Sequence, residues 1–451
     1  SSDLLQCNNF EVVNMGVMVP CQDILAKAKV EGADLVGLSG LITPSLEEMQ
    51  YVASEMQRDD YFRIKKIPLL IGGATTSRVH TAVKIAPHYE GPVLYVPDAS
   101  RSVGVCSELL SEERAPGYLA EVAADYERVR QQHANKKQTP LVSLAQARAN
   151  PTPIDWAAYE PTRPKLLGRR ALRNQDLSEL LPFLDWTPFF QTWDLAGRYP
   201  QILQDEVVGE SARRVFADAQ RMLEQIVAGR WLQAHGVLGL YAANSVGDDI
   251  EFYADESRDT PLMTWHGLRV QTERPVVDGP DGSKIMRPNR CLSDFVAPKG
   301  MKDARPDYAG MFAVSVQGVE AREKEFLKTH DDYSAIMLKS LADRLAEAFA
   351  EFLHRRVRTE LWGYAADETL DNDQLIAERY RGIRPAPGYP ACPDHRPKRA
   401  LFEVLNAAEV GMGLTESLAM TPPASVSGFY IGHPDAVYFN VGRIGADQLA
   451  D

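Results

Sequence analysis

The stretch RPAPGYPACPDH, residues 384–395, carries side chains able to do chemistry on an unusually stiff backbone. Arg384 offers a planar fork of donors that matches a carboxylate or phosphate. Tyr389 offers an aromatic face and a hydroxyl, and His395 an imidazole. The four prolines fix φ and bias their neighbours away from helix, while Gly388 permits a turn. The spacing fits a segment that presents these groups to a ligand. It fits equally a rigid connector or a proline-rich peptide ligand.

Two further clusters combine small residues with hydroxyls. SGLITPS (39–45) supplies Ser39, Thr43 and Ser45, which could hydrogen-bond a ligand or cap a helix. GGATTS (72–77) supplies Gly72, Gly73 and three hydroxyls, with backbone N–H groups at a helix start able to hold a phosphate or amide tail. It is not a GxGxxG fingerprint, and no acidic residue stands at the ribose-binding spacing, which disfavours a nicotinamide cofactor.

These clusters need elements to position them. Continuous apolar runs at 10–13, 34–38, 67–71 and 92–96 alternate with helix-period stretches, clearest at 44–56 and 78–86. That alternation predicts a parallel sheet covered on both faces, an α/β Rossmann-like (flavodoxin-like) domain over residues 1–130. Ser39-Gly40, Gly72-Gly73 and Asp98-Ala99-Ser100 fall at strand ends, where open α/β sheets bind ligands. Residues 131–165, rich in proline and polar residues with little periodicity, read as an interdomain linker. Residues 166–451 predict an α+β domain with a mainly antiparallel sheet. Its helices are expected at 211–229, with Ser211 as a cap, at 332–362 and at 374–381. Its strands are expected at 236–241, 250–253, 262–265, 311–316, 427–431 and 437–441.

The 451 residues suffice for two or three domains, and 45% hydrophobic and 25% charged residues are ordinary for a globular protein. A net charge of −13 argues against nucleic acid as a partner. Five scattered cysteines without a CxxC or Cys/His cluster read as reduced thiols, a cytoplasmic pattern without metal. No signal peptide or membrane span is evident. The abrupt start at a strand-like segment predicts that the first domain is N-terminally incomplete.

LQCNNFEVVNMGVMVP (5–20), GLSGLITPSLEEM (37–49), PLLIGGATTSRVHTAVKI (68–85) and VPDASRSVGV (96–105) resemble the cobalamin-binding domain of the cobalamin-dependent methionine synthase family. FLDWTPFFQTWDLAGRYP (183–200), HDDYSAIMLKSLADRLAEAFAEFLH (330–354), GIRPAPGYPACPDH (382–395) and ASVSGFYIGHPDAVYF (424–439) resemble its S-adenosylmethionine-binding activation domain. The resemblance covers nearly the whole chain.

The family's DxHxxG motif, whose histidine is the lower cobalt ligand, is not found in this sequence. Nor are its homocysteine and folate modules with their zinc-binding cysteines. The resemblance implies that Ser39, Thr43 and Ala99 contact cobalamin, and that Gly72 and Gly73 leave room for its nucleotide tail. It implies S-adenosylmethionine contacts from Asp185, Glu347, Arg384, Ala386, Tyr438 and Phe439. The family commonly has two tyrosines at that last pair, so Phe439 lacks one hydroxyl. Tyr389 would face the corrin. The implied activity is reductive reactivation of cob(II)alamin to methylcobalamin with a methyl from S-adenosylmethionine. The electron would come from a flavodoxin-type or diflavin reductase, and the complete enzyme would move methyl from methyltetrahydrofolate to homocysteine.

Read without the resemblance, Asp185 fits a turn or cap residue. Glu347 lies opposite the apolar stripe of Leu338, Leu341, Leu345, Phe349 and Phe352, which fits a solvated face. His330, His354 and His395 have no ligand-like spacing. A non-catalytic corrinoid carrier or reductase-docking module is the alternative class, and a generic flavodoxin-like nucleotide binder a third.

Overall fold

In the computed structural model, three of the four N-terminal apolar runs form parallel strands, β1 (Val36–Ser39), β2 (Leu69–Gly72) and β3 (Val93–Tyr95), in the order β1-β2-β3. The structure describes residues 5–6, 8, 10–16, 19–40, 44–73, 75–135, 139–278, 284–302 and 305–450. Side chains of β2 alternate between two cores. Leu69 and Ile71 pack with Leu25, Met56 and Phe62, while Leu70 packs with Leu94, Val96 and Cys106. Both faces are therefore covered, and the strands read as unbroken apolar runs for that reason. The run at 10–13 forms no strand. Phe10 packs beside the Leu70 cluster, but Val13 stays exposed, so the run has one anchoring side chain and no ladder.

The chain divides into two units, 1–138 and 139–451. Residues 139–165 are hydrogen-bonded into the second unit rather than left as a free connector. Val142 N–H donates to Gln271 O (2.8 Å), Glu273 N–H to Pro140 O (2.8 Å) and Trp362 Nε1–H to Thr162 O (2.7 Å). Polar, proline-rich composition therefore marks an irregular but anchored segment here.

The second unit is built on an antiparallel sheet, in the order β13-β10-β5-β6-β7, with β4 also on β5. Its strands are β4 (Gly168–Gln175), β5 (Gln233–Val246), β6 (Asp249–Tyr253), β7 (Pro261–Trp265), β10 (Asp307–Gln317) and β13 (Ser425–Tyr430). Two small ladders, β8 (Val276–Asp278) with β9 (Lys284–Met286) and β11 (Gly413–Leu414) with β12 (Met420–Thr421), lie outside it. Period-two alternation separates its faces. Leu238, Leu240, Phe312 and Tyr430 pack under the helices Gly209–Gly229 and Asp332–Arg356, while Val237, Tyr241, Met311 and Phe429 pack on the opposite side with Leu401.

Several boundaries differ from expectation. The hairpin strands extend through the polar ANSV run, because Asn244 and Ser245 bond the backbone carbonyls of Ala297 and Val296 at 2.9 and 2.8 Å. Ser211 lies inside its helix, which starts at Gly209. The long helix passes into a π-helical turn at Val357–Leu361. The helix expected at 374–381 spans only Asn372–Ile376, and Glu378 follows in the left-handed region at φ 55°. Residues 437–441 form no strand. Val441 N–H reaches Pro390 O at 2.9 Å, so the segment crosses the proline-rich run instead of joining the sheet.

Candidate functional site

The proline-rich run begins as an added edge of the antiparallel sheet. Ile383 exchanges both backbone hydrogen bonds with Ile431 (2.9 and 3.1 Å), and Phe429 N–H donates to Pro385 O (2.9 Å). Gly428 makes this approach possible, since a Cβ there would lie 2.7 Å from Pro385 O. Successive residues of such a strand turn their N–H groups to opposite sides. Arg384 N–H thus points away from β13 and donates to Tyr438 OH at 2.8 Å. Ala386 N–H points the same way and meets no protein acceptor among the described residues.

The rod expected over 384–395 ends there. Tyr389 N–H bonds Ala386 O (3.1 Å) and Gly388 N–H bonds Cys392 O (2.8 Å), which turns the chain back on itself. Gly388 has φ 100°, and a Cβ at this position would sit 2.3 Å from His395 Cε1. The imidazole thus fills the space behind the turn, and Tyr389 is left 58% exposed.

The facing wall is the long helix Asp332–Arg356. One stripe of it carries Asp343, Glu347, Glu351 and His354, passing from exposed at Asp343 to fully buried at His354. Glu347 is half-buried, so the polar stripe is not a simple solvated face. Its carboxylate raises the pKa of the Tyr389 phenol, with burial adding to the effect.

Arg384 Nη1 lies 3.0 Å from Glu351 Oε2, 3.2 Å from His354 Nδ1 and 3.5 Å from Ala350 O. Among the described residues, no protein acceptor takes Nε or Nη2. The side-on edge of the guanidinium is the one able to pair bidentately with a carboxylate. Behind it, Glu351 also meets the fully buried Arg358 (3.5 Å), which is held by Glu368 at 2.8–3.0 Å.

Tyr438 OH lies 3.1 Å from Tyr380 OH, and Arg358 sits 4.4 Å from the Tyr380 ring. Phe439 packs against the core on the Phe429 side of the sheet. Asp185 accepts Thr187 N–H at 3.0 Å, the local role its position suggests. Its neighbour Leu184 is tied through its carbonyl to Asn372 Nδ2 (3.1 Å), at the start of the segment that carries Glu378. Burial raises the pKa of Glu378, with the Arg384 charge opposing and Glu351 adding.

Arg384, Ala386, Tyr438, Glu347 and Tyr389 are therefore linked through one backbone segment and the helix stripe. Asp185 is connected less directly. Sequence reasoning missed Glu351, His354, Arg358, Glu378 and Tyr380. Glu351 was within reach, lying one helical turn beyond Glu347 on the same face.

In the first unit, β1, β2 and β3 end along one edge of the sheet. Ser39 is exposed there, paired with Gly72 in the ladder. Gly73 has φ 104° and a Cβ would lie 2.2 Å from Gly40 O, while at Gly72 it would lie 3.2 Å from Val96 O. Gly73 is thus required for two strand-end loops to touch. Ala99 begins the helix Ala99–Leu109, which Asp98 caps by accepting Arg101 N–H (2.9 Å). Thr43 lies outside the described residues. An edge of small residues with an exposed serine fits a bulky cofactor that lies close to the backbone.

Comparison with known proteins gives three findings. Residues 176–451 match the family described as vitamin B12 dependent methionine synthase, activation domain. Residues 2–86 match the B12 binding domain family. A crystal structure of the MetH reactivation domain bound to AdoHcy is 50% identical, with a TM-score of 0.64, over 69% of this chain and 92% of that one.

Proposed function

The chain belongs to the vitamin B12-dependent methionine synthase family, and we propose that its second unit binds S-adenosylmethionine in the groove beside Arg384. It is a cobalamin-dependent methyltransferase, and this portion is the part that reactivates cobalamin, using cobalamin and S-adenosylmethionine. The observation that carries the assignment of the groove is the open Nε/Nη2 edge of Arg384, next to the unpaired Ala386 N–H.

In this reading Arg384 pairs with the methionyl carboxylate, and Ala386 N–H donates to a ligand acceptor. Glu347, with Glu378, supplies negative charge for the ammonium and sulfonium groups. Asp185 contributes from the edge of the groove. Tyr438 holds the backbone under Arg384 and offers a ring face, while Phe439 contributes packing. Tyr389, exposed on its turn, is the side chain of this unit read as a corrin contact. Ser39, Gly72, Gly73 and Ala99, at the strand ends of the first unit, hold cobalamin together with Thr43.

Cobalamin, when bound, supplies the nucleophilic and redox-active cobalt centre. No general base is needed on the protein, because the sulfonium is already a good leaving group. The side chains bind and orient the methyl donor, and the rate gain comes from positioning. The electron donor in this reading is a flavodoxin-type or diflavin reductase, the setting is cytoplasmic, and homocysteine and folate modules complete the methionine-forming reaction. Among the described residues, no helix is long and apolar enough to cross a membrane.

The test follows the visible spectrum of the chain mixed with cobalamin. A methylated-cofactor spectrum should develop only when reductant and S-adenosylmethionine are both present. Binding of both ligands without that change would instead indicate a carrier or docking module.

A further inference from the structure

His354 is an odd residue for its place. It is fully buried, its ring stacks on Tyr430 (5.2 Å between centroids, 19° between planes) and meets the edge of Tyr380 at 4.8 Å. An apolar ring would fill such an aromatic box without burying a polar atom. Instead His354 Nε2 is buried with no hydrogen-bond partner among the described residues, an arrangement that costs stability. The other ring nitrogen explains why an imidazole sits there. Nδ1 lies 3.2 Å from Arg384 Nη1, and since a guanidinium can only donate, Nδ1 must accept. That fixes the tautomer, with the proton on Nε2.

Arg384 Nη1 has two hydrogens, and Glu351 and His354 are its two shorter acceptors. With both filled, the guanidinium can neither rotate nor swap which edge it shows. We propose that His354 is a positioning residue for Arg384, a neutral acceptor that, together with Glu351, aims the Nε/Nη2 edge into the groove. Glu351 alone would leave the fork one contact about which to pivot. The groups around the imidazole suit a neutral ring. Arg358 and Arg384 both disfavour a second cation, and burial does so most of all. Glu351, Tyr380 and Tyr430 complete the surroundings.

This inference rests on Arg384 being the carboxylate partner, so its test separates the two ideas. Affinities of the full chain for S-adenosylhomocysteine and for its decarboxylated analogue are measured by calorimetry, and their ratio is the readout. The ratio is taken on one protein sample, so a partly unfolded variant does not shift it.

Arg384→Ala should collapse the ratio. If it does not, the carboxylate assignment fails, and the proposal with it. His354→Phe keeps a ring in the box but removes the acceptor, and should lower the ratio about 10-fold or more. His354→Leu is the smaller substitute for the same purpose. His354→Asn places an amide oxygen near the Nδ1 position and should keep the ratio within about 3-fold of the parent. The proposal is overturned, with the carboxylate assignment intact, if Arg384→Ala is selective while His354→Phe and His354→Leu leave the ratio unchanged. It is also overturned if His354→Asn loses as much as His354→Phe.

Discussion

The hydroxyl of Tyr438 accepts the backbone N–H of Arg384 at 2.8 Å, tying together two residues 54 positions apart in sequence. The contact satisfies an N–H that edge-strand geometry turns away from the sheet. It also makes the tyrosine hydroxyl part of the backbone framework of the groove, before any ligand arrives.

Tyr438→Phe should therefore lower the stability of the second unit by about 1–3 kcal/mol, the cost of stranding a partly buried donor. Urea denaturation followed by tryptophan fluorescence would register it as a lower midpoint at unchanged slope. An unchanged midpoint would mean that water replaces the hydroxyl at no cost.

Glu368→Ala should be the more damaging change. Arg358 is completely buried and receives its bidentate partner from Glu368, with Glu351 shared between it and Arg384. Removing one partner of such a pair typically costs about 3–5 kcal/mol. Thermal unfolding should shift by several degrees, and S-adenosylhomocysteine affinity should fall as Glu351 is drawn towards Arg358.

Gly388→Ala tests the turn under Tyr389. The residue has φ 100° and the new Cβ would fall 2.3 Å from His395 Cε1. The expected destabilisation is about 1–3 kcal/mol from the backbone conformation alone. Combining it with His395→Ala should recover the steric part and leave the conformational part. A double mutant no better than the single would show that the imidazole does not occupy that space in solution.

The pH dependence of stability should carry a mark from Asp307. Its carboxyl is 3% exposed, and burial pushes its pKa from 3.8 up to about 7, against hydrogen bonds from the Ala297 and Tyr308 N–H groups. A carboxyl whose folded pKa is raised contributes its stability below the unfolded value, and loses it as pH rises through the folded value. The loss should therefore run from about pH 4 to about pH 7 and amount to at most about 4 kcal/mol. His433, held down to about 4 by burial, acts in the opposite sense over an overlapping range. The informative quantity is thus the stability of Asp307→Asn minus that of the parent, measured by urea midpoints at several pH values. It should rise with pH up to about 7 and then level off. A flat difference would rule Asp307 out as the cause.

Much of this molecule can be read from its sequence because its strongest patterns are driven by burial. The runs at 34–38, 67–71 and 92–96 each supply most of a strand, since a sheet covered on both faces demands continuous apolar residues. The long helix is legible from its Leu338–Leu341–Leu345–Phe349 stripe, and these residues are fully buried. The failures come where polar atoms decide. Residues 139–165 look loose by composition, yet backbone hydrogen bonds to 271–273 hold them. Residues 437–441 look like a strand, yet they are recruited by Pro390 and Arg384. In the site, Arg384 stands out by motif, and Glu347 only through the family resemblance. His354 and Tyr380 do not, because their importance lies in what they touch across 30 and 58 residues of chain.

The extended residues 383–386 have one more effect. Sheets with a bare outer strand invite pairing with another chain, and β13 would otherwise be such a border. The added segment covers it with residues that make poor templates for further growth. Of the backbone groups turned outward, Arg384 N–H is already occupied by Tyr438 and Ala386 O by Tyr389 N–H. Only Ala386 shows a free donor outward along that border. The arrangement that shapes the groove thus also protects the fold against intermolecular strand addition.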